Sequence, residues 1–330
     1  MHRLTFVLLL IAAPVLAERI PVKPCFRLTR LSQSGQELLL EPMEAACGSR
    51  SIVVDRAGMA IGSFGSRAIV SPGLRNSLDE IRWPDIVQSC SSPGPCQMKP
   101  PVTRVRFQVA ENSRAYELGG FFQPIAFWGE DRILSGPGLT GRRGYALIQI
   151  RDGIVSAESR IAPRADSRYG LRNWDFNSNQ SLFAALSTEG LGLYNEKLEE
   201  VRFLAAPSGQ PRFTQAVGFL EQERYFAGLA VTGAQHSPRI CIFRLADGNT
   251  SYRWYDSDTH RHFFRIAGKL FSISPQRIVF LWSLEKAKPI SFKPVPFDLL
   301  EIDSRGDKVA WQTRDGIYYS ETAGFLATVQ

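Results

Sequence analysis

Two clusters of side chains carry the residue types that could do chemistry in this chain. Asp256, Asp258, His260 and His262 alternate along Asp-Ser-Asp-Thr-His-Arg-His, and in an extended chain all four would share one side. Imidazole and carboxylate together suit zinc or a similar ion, the more so if His236 arrived from a neighbouring loop. The spacing belongs to no common zinc motif, so a solvated connection is the plainer alternative. Arg160, Arg164, Arg168 and Arg172, with Arg142 and Arg143 shortly before them, form the second cluster. Guanidinium groups gathered in this way bind phosphate, sulfate or carboxylate bidentately. Pro163 argues against a helical stripe, and dispersed, solvated arginines are the alternative.

Other chemistry finds little support. Gly136-Pro-Gly-Leu-Thr-Gly141 has the spacing of a dinucleotide fingerprint, but the next apolar run, Tyr145 to Ile150, reads as a strand. A pyrophosphate site needs a helix N-terminus there. The sequence holds no Gly-x-Ser-x-Gly, Cys-x-x-Cys or His-Glu-x-x-His, and beyond residue 17 it has three histidines from which to build a triad. A hydrolase acting on a glycan would need carboxylates converging from distant strands; Asp131, Asp175 and Glu189 lie near strand ends and are the candidates for that alternative. The six tryptophans sit mostly within apolar strands and read as core. No cofactor is expected.

The first seventeen residues have the form of a secretory signal: Arg3, an apolar stretch from Phe6 to Ala13, and Val15-Leu16-Ala17 before Glu18. The apolar stretch is too short to span a bilayer, and no later segment is a candidate span. The expected division is therefore a signal peptide at 1–17 and one domain at 18–330, placed in the periplasm or secreted. Export makes nucleic acid an unsuitable partner for the net charge of +7, whereas a protein or an anionic envelope component fits it. In an oxidising compartment the five cysteines can pair. Cys90 and Cys96 bracket the turn-rich Ser-Ser-Pro-Gly-Pro and are the expected disulfide; Cys25 with Cys47 is a second possible pair, and Cys241, inside Ile240 to Phe243, is expected to pack as a small buried hydrophobe.

The elements that must position these residues are strands. No long stretch has helical periodicity; short runs rich in Val, Ile, Phe, Tyr and Trp alternate with Gly, Pro, Asn and Asp. A unit of strand, polar turn and strongly apolar strand recurs at IAFW-GED-RILSG (125–136), WDF-NSNQ-SLFAAL (174–186), VGF-LEQE-RYFAGL (217–229), LFSI-SPQ-RIVFLW (270–282) and LLEI-DSRGD-KVAWQT (299–313). The first three are each followed by two more strands, giving four-stranded meanders such as the one completed by YALIQI and IVSAESRI. Less regular units precede them: CFRLTRL, ELLLEP, a hairpin at IVV-DRAG-MAI (52–61), and VTRVRFQV. A meander of this size cannot bury both faces of its sheet alone, and radial stacking does so.

The turns at Ser274-Pro-Gln276 and Asp303-Ser-Arg-Gly-Asp307 resemble the Ser-Pro-Asp-Gly hairpins of WD-repeat-like bacterial β-propellers, over residues 123 to 330. The Gly-His and Trp-Asp dipeptides of WD repeats are missing from their usual places, so the likeness is one of fold. It implies an all-β chain, a single propeller of four-stranded antiparallel blades, with seven the best count in a range of six to eight. The last unit ends at FLATV (325–329), and an N-terminal strand is expected to complete its sheet and close the ring. The expected role is a binding or scaffolding module.

Overall fold

The computed structural model describes residues 17–65, 68–82, 102–109, 112–119, 124–136, 145–152, 155–158, 173–206, 212–232 and 237–329. Seven sheets of four antiparallel strands, with the turns that join them, account for nearly all of them. Blade 1 is β2 (Phe26–Leu31), β3 (Leu38–Pro42), β4 (Arg50–Val54) and β5 (Ala60–Gly65); blade 2 is β6 (Ile69–Val70), β7 (Asn76–Arg82), β8 (Val102–Val109) and β9 (Asn112–Gly119). Blade 3 is β10 (Pro124–Trp128), β11 (Arg132–Ser135), β12 (Ala146–Gln149) and β13 (Val155–Glu158); blade 4 is β14 (Trp174–Phe176), β15 (Leu182–Ser187), β16 (Gly190–Asn195) and β17 (Glu200–Ala205). Blade 5 is β18 (Arg212–Leu220), β19 (Tyr225–Thr232), β20 (Ser237–Arg244) and β21 (Thr250–Trp254); blade 6 is β22 (His262–Ile266), β23 (Lys269–Ile273), β24 (Ile278–Ser283) and β25 (Lys288–Pro294). Blade 7 takes β26 (Glu301–Arg305), β27 (Lys308–Thr313) and β28 (Gly316–Glu321) from the C-terminal end and β1 (Glu18–Ile20) from the N-terminal end. The chain is a seven-bladed β-propeller.

Ring closure by an N-terminal strand is therefore present: Glu18, Arg19 and Ile20 pair antiparallel with Tyr319, Tyr318 and Ile317. FLATV is not a strand. It lies in the helix α1 (Thr322–Val329), because β1 already holds the edge that a further strand would take, and Phe325 and Val329, one helical turn apart, pack on the faces of blades 6 and 7. Two units are also shifted by one or two strands from their expected slots. LFSI and RIVFLW are the second and third strands of blade 6, since β22 precedes them, and the IVV/MAI hairpin supplies the third and fourth strands of blade 1. Apolar hairpins look alike wherever they fall in a blade.

The core explains the near-continuous apolar runs. Each blade is buried on both faces, so alternate residues of one strand serve opposite neighbours. Leu38 and Leu40 pack toward blade 7 while Leu39 packs toward blade 2; Cys241 and Phe243 face blade 4 while Ile240 and Ile242 face blade 6. Each pair of adjacent blades shares one such cluster, seven around the ring. Cys241 is fully buried, as expected of a small hydrophobe, and burial pushes its thiol pKa up.

Cys25 is bonded to Cys47, joining the entry to β2 with the 3-10 turn Ala45–Cys47 across a separation of 22 residues. Closing a loop of that size removes unfolded-state entropy worth about 3 kcal/mol in the chain-entropy picture. The expected Cys90–Cys96 pair lies outside the described residues. Among the described residues no helix is long and apolar enough to cross a membrane.

Candidate functional site

Strands β2, β6, β10, β14, β18, β22 and β26 are the innermost of their blades and line the axis. Each ends in the turn that leads to the second strand of its blade, so these seven turns ring one mouth of the channel. A cavity of about 530 Å³ occupies this end, lined by residues of all seven innermost strands. That volume falls in the range of small-molecule sites.

Hydrogen bonds at the mouth, most of them from or to side chains, tie every blade to the next. Arg30 donates to the carbonyls of Val70 and Ser71, the latter at 2.7 Å. Glu130 accepts from Ser71 Oγ at 2.6 Å and Gly73 N at 2.5 Å. Gln180 takes the Trp128 indole N–H on its carbonyl and the Gly129 N–H on Oε1, both at 2.6 Å. Glu223 accepts from Asn177 Nδ2 and Ser178 N at 3.1 Å and from Ser178 Oγ at 2.7 Å. Burial alone would raise the Glu223 carboxyl, but these donors outweigh it and hold the pKa below its ordinary value. Glu221 N donates to Gly268 O at 2.9 Å, Ser304 Oγ to Arg265 O at 3.0 Å, and Leu31 N to Asp303 Oδ2 at 2.8 Å, which completes the circle.

The β18–β19 turn shows what this stitching demands of the backbone. Glu221, Gln222 and Glu223 are left-handed in succession, at φ of 45°, 53° and 68°. Such a conformation costs roughly 1–2 kcal/mol per residue. The bonds to blades 4 and 6 at either end of the turn hold it in place.

The Asp175 carboxylate meets Arg265 across the channel wall in a bidentate pair, with Nη2 to Oδ1 at 3.2 Å and Nη1 on Oδ2. Oδ2 also accepts from Phe219 N at 3.1 Å. Burial works against the Arg265 charge, but Asp175 more than compensates and raises its pKa. Both groups lie against Gly218, where β18 bulges and φ is 111°. Arg30 has no such partner. Burial, and then the nearby Arg305, lower its pKa to about 10 against the opposing pull of Asp303 and Glu130.

Of the carboxylates nominated from sequence, Asp175 thus lines the channel. Asp131 sits in the β10–β11 turn, 3.8 Å from Arg132 Nε, and Glu189 lies between β15 and β16. The three are not brought together. Arg142, Arg143, Arg160, Arg164, Arg168 and Arg172 lie outside the described residues, as does His236. Arg30, Arg265 and Arg305 went unnoticed in the sequence. The available signal was an arginine at or beside the end of an innermost strand, directly before the turn, in FRLTR, HFFR and EIDSR.

The Asp256–His262 segment is not extended. Asp256 caps a turn, accepting from Asp258 N at 2.9 Å and Thr259 Oγ1 at 2.8 Å, and an aspartate ahead of polar residues favours this local closure over a strand. His260 turns inward, with Nδ1 2.9 Å from Ser272 Oγ and its ring among Tyr255, Phe263, Phe280 and Trp282, while His262 is exposed. Among the described residues no three His, Cys, Asp or Glu side chains gather as a metal site.

Burial lowers the His260 pKa, and Asp256 only partly offsets it. The unfolded chain, with an ordinary histidine value near about 6.5, takes up a proton that the folded chain resists. Stability is therefore expected to be intact above that pH and to fall as pH drops toward the lower folded value. Urea midpoints at about pH 5.5 and 7.5 check this, and the difference should shrink in His260→Gln.

No protein-family model and no curated protein matches the chain. Fold and channel define its class, a seven-bladed propeller with a polar, arginine-bearing axial cavity.

Proposed function

We infer that the chain is an exported propeller of the cell envelope that binds or scaffolds an anionic partner. The observation that carries this reading is the state of the carboxylates at the channel mouth. Glu130, Asp175, Glu223 and Asp303 are each engaged by backbone N–H groups, side chains or a guanidinium from another blade. These acids hold blades together and are not arranged as an acid and base facing a common substrate. Export is supported by two features. The proposed cut after Ala17 falls immediately before β1, leaving the closing strand whole, and the Cys25–Cys47 bond suits an oxidising compartment. The arginines at 142, 143, 160, 164, 168 and 172 are the proposed contact with the partner.

The test is capture of partners from an envelope extract by the immobilised chain at low and high salt. Capture should weaken as salt rises, because exposed charges are screened beyond about 8 Å at physiological ionic strength. It should also weaken in the Arg160→Ala, Arg164→Ala, Arg168→Ala triple variant at unchanged thermal stability. Salt-independent capture would remove the electrostatic contact. Turnover of a glycan that is lost in Asp175→Asn would replace the binding reading with hydrolysis.

A further inference from the structure

Two residues that line the axial cavity carry buried donors with no acceptor among the described residues. Arg30 Nε and Trp174 Nε1 are both buried and unpaired, and both residues line the same 530 Å³ space, one on blade 1 and the other on blade 4. Leaving a buried donor unmet is costly, and native structures seldom do it without a reason tied to function or to a bound species. Around them each blade boundary is closed by hydrogen bonds.

Charge points to what would satisfy them. Arg30 is anchored through Nη2 to two carbonyls of blade 2, which fixes its position without neutralising it. The side chain of Arg305, on the neighbouring innermost strand β26, is 39% exposed, makes no hydrogen bond among the described residues, and reaches Asp303 only at 3.7 Å. Asp303 is itself held by Leu31 N, and together with Glu130 it offsets the Arg30 charge only in part. The opposite pair, Arg265 with Asp175, is balanced. Trp174 and Phe176 stand edge to face across from the arginine corner, so the cavity has a cationic side and an aromatic side.

We propose that this cavity is a binding site for a small organic anion, whose carboxylate or phosphate group sits between Arg30 and Arg305 and whose body lies along Trp174 and Phe176. Two guanidinium groups on adjacent strands can each take an oxygen of either oxyanion, and the aromatic side accepts a planar body whose polar edge takes the Trp174 indole N–H. The proposal rests on the reading of the chain as a binding protein and gives that reading an axial ligand distinct from its loop contact.

The experiment is calorimetric titration of the purified chain with inorganic phosphate, acetate and benzoate at fixed ionic strength, in wild type, Arg305→Gln and Trp174→Phe. Saturable binding of phosphate but not acetate assigns the headgroup as a phosphate; the reverse assigns a carboxylate. Benzoate should bind more tightly than acetate, and by less in Trp174→Phe. Arg305→Gln should weaken each interaction at least about tenfold, as expected for loss of a charge-assisted contact, with the unliganded melting temperature unchanged. Affinity equal in wild type and Arg305→Gln, or no saturable binding of any of the three anions, overturns the axial site. Partner capture measured in parallel separates the two ideas: capture retained alongside failed titration sinks the cavity alone, and capture absent from wild type sinks the binding reading itself.

Discussion

Gly218→Ala is expected to destabilise the propeller by about 3–5 kcal/mol, because it combines backbone strain with disruption of a largely buried ion pair. The glycine occupies a bulge at φ of 111°, where an L side chain is strained whatever the space, and a Cβ there would collide with both Arg265 Nη1 and Asp175 Oδ2. Moving the pair aside also detaches Asp175 from Phe219 N, one of the ties between blades 4 and 5. Gly62→Ala is the control. It lies on the exposed strand β5, without positive φ, and a Cβ there meets nothing closer than 3.8 Å. That change should stay within about 0.5 kcal/mol. Denaturant unfolding of the two variants beside wild type decides the matter, and similar midpoints for both would show that the Asp175–Arg265 pair relaxes without cost.

The second large effect is expected at the closure of the ring. Ile20 is 1% exposed and packs among Leu28, Leu31, Ala310 and Ile317, where the first and last blades meet. Ile20→Asp would place a carboxylate with no counter-charge in that cluster and should cost at least about 4 kcal/mol, whereas Ile20→Val should cost about 1 kcal/mol. The failure should have a particular form. Once β1 leaves, β28 becomes an unpaired edge that templates pairing with another chain. We expect early proteolytic loss of residues 18–20 and concentration-dependent association by size-exclusion chromatography in Ile20→Asp, with Ile20→Val behaving as wild type. Gln312 should limit the opening, since its side chain accepts from Leu28 N at 2.8 Å and donates to Phe26 O at 3.1 Å across the same seam.

The all-β class, the four-stranded repeat and closure by the N-terminal strand were legible in the sequence because each depends on local pattern. A strand buried on both faces must be apolar at successive positions, as in Ile240 to Phe243, and the polar turn between two such strands marks a hairpin. These features recur once per blade whatever the neighbours are. Local pattern could not say which strand of a blade a hairpin occupies, so units in blades 1 and 6 fell in different slots from those expected. It could not show that Phe325 to Val329 turns helical, because that outcome depends on β1 having taken the edge. The disulfide between Cys25 and Cys47 likewise depends on how β2 and β3 bring the two ends of blade 1 together. The tertiary structure alone decided the axial site. Arg30, Trp174, Asp175, Arg265 and Arg305 are separated by up to most of the chain and sit on four different strands, in short segments where a lone charge reads as an ordinary turn flank. Only radial stacking turns those strand ends toward one axis, where burial and the proximity of like charges give arginines of common appearance an environment found nowhere in their local sequence.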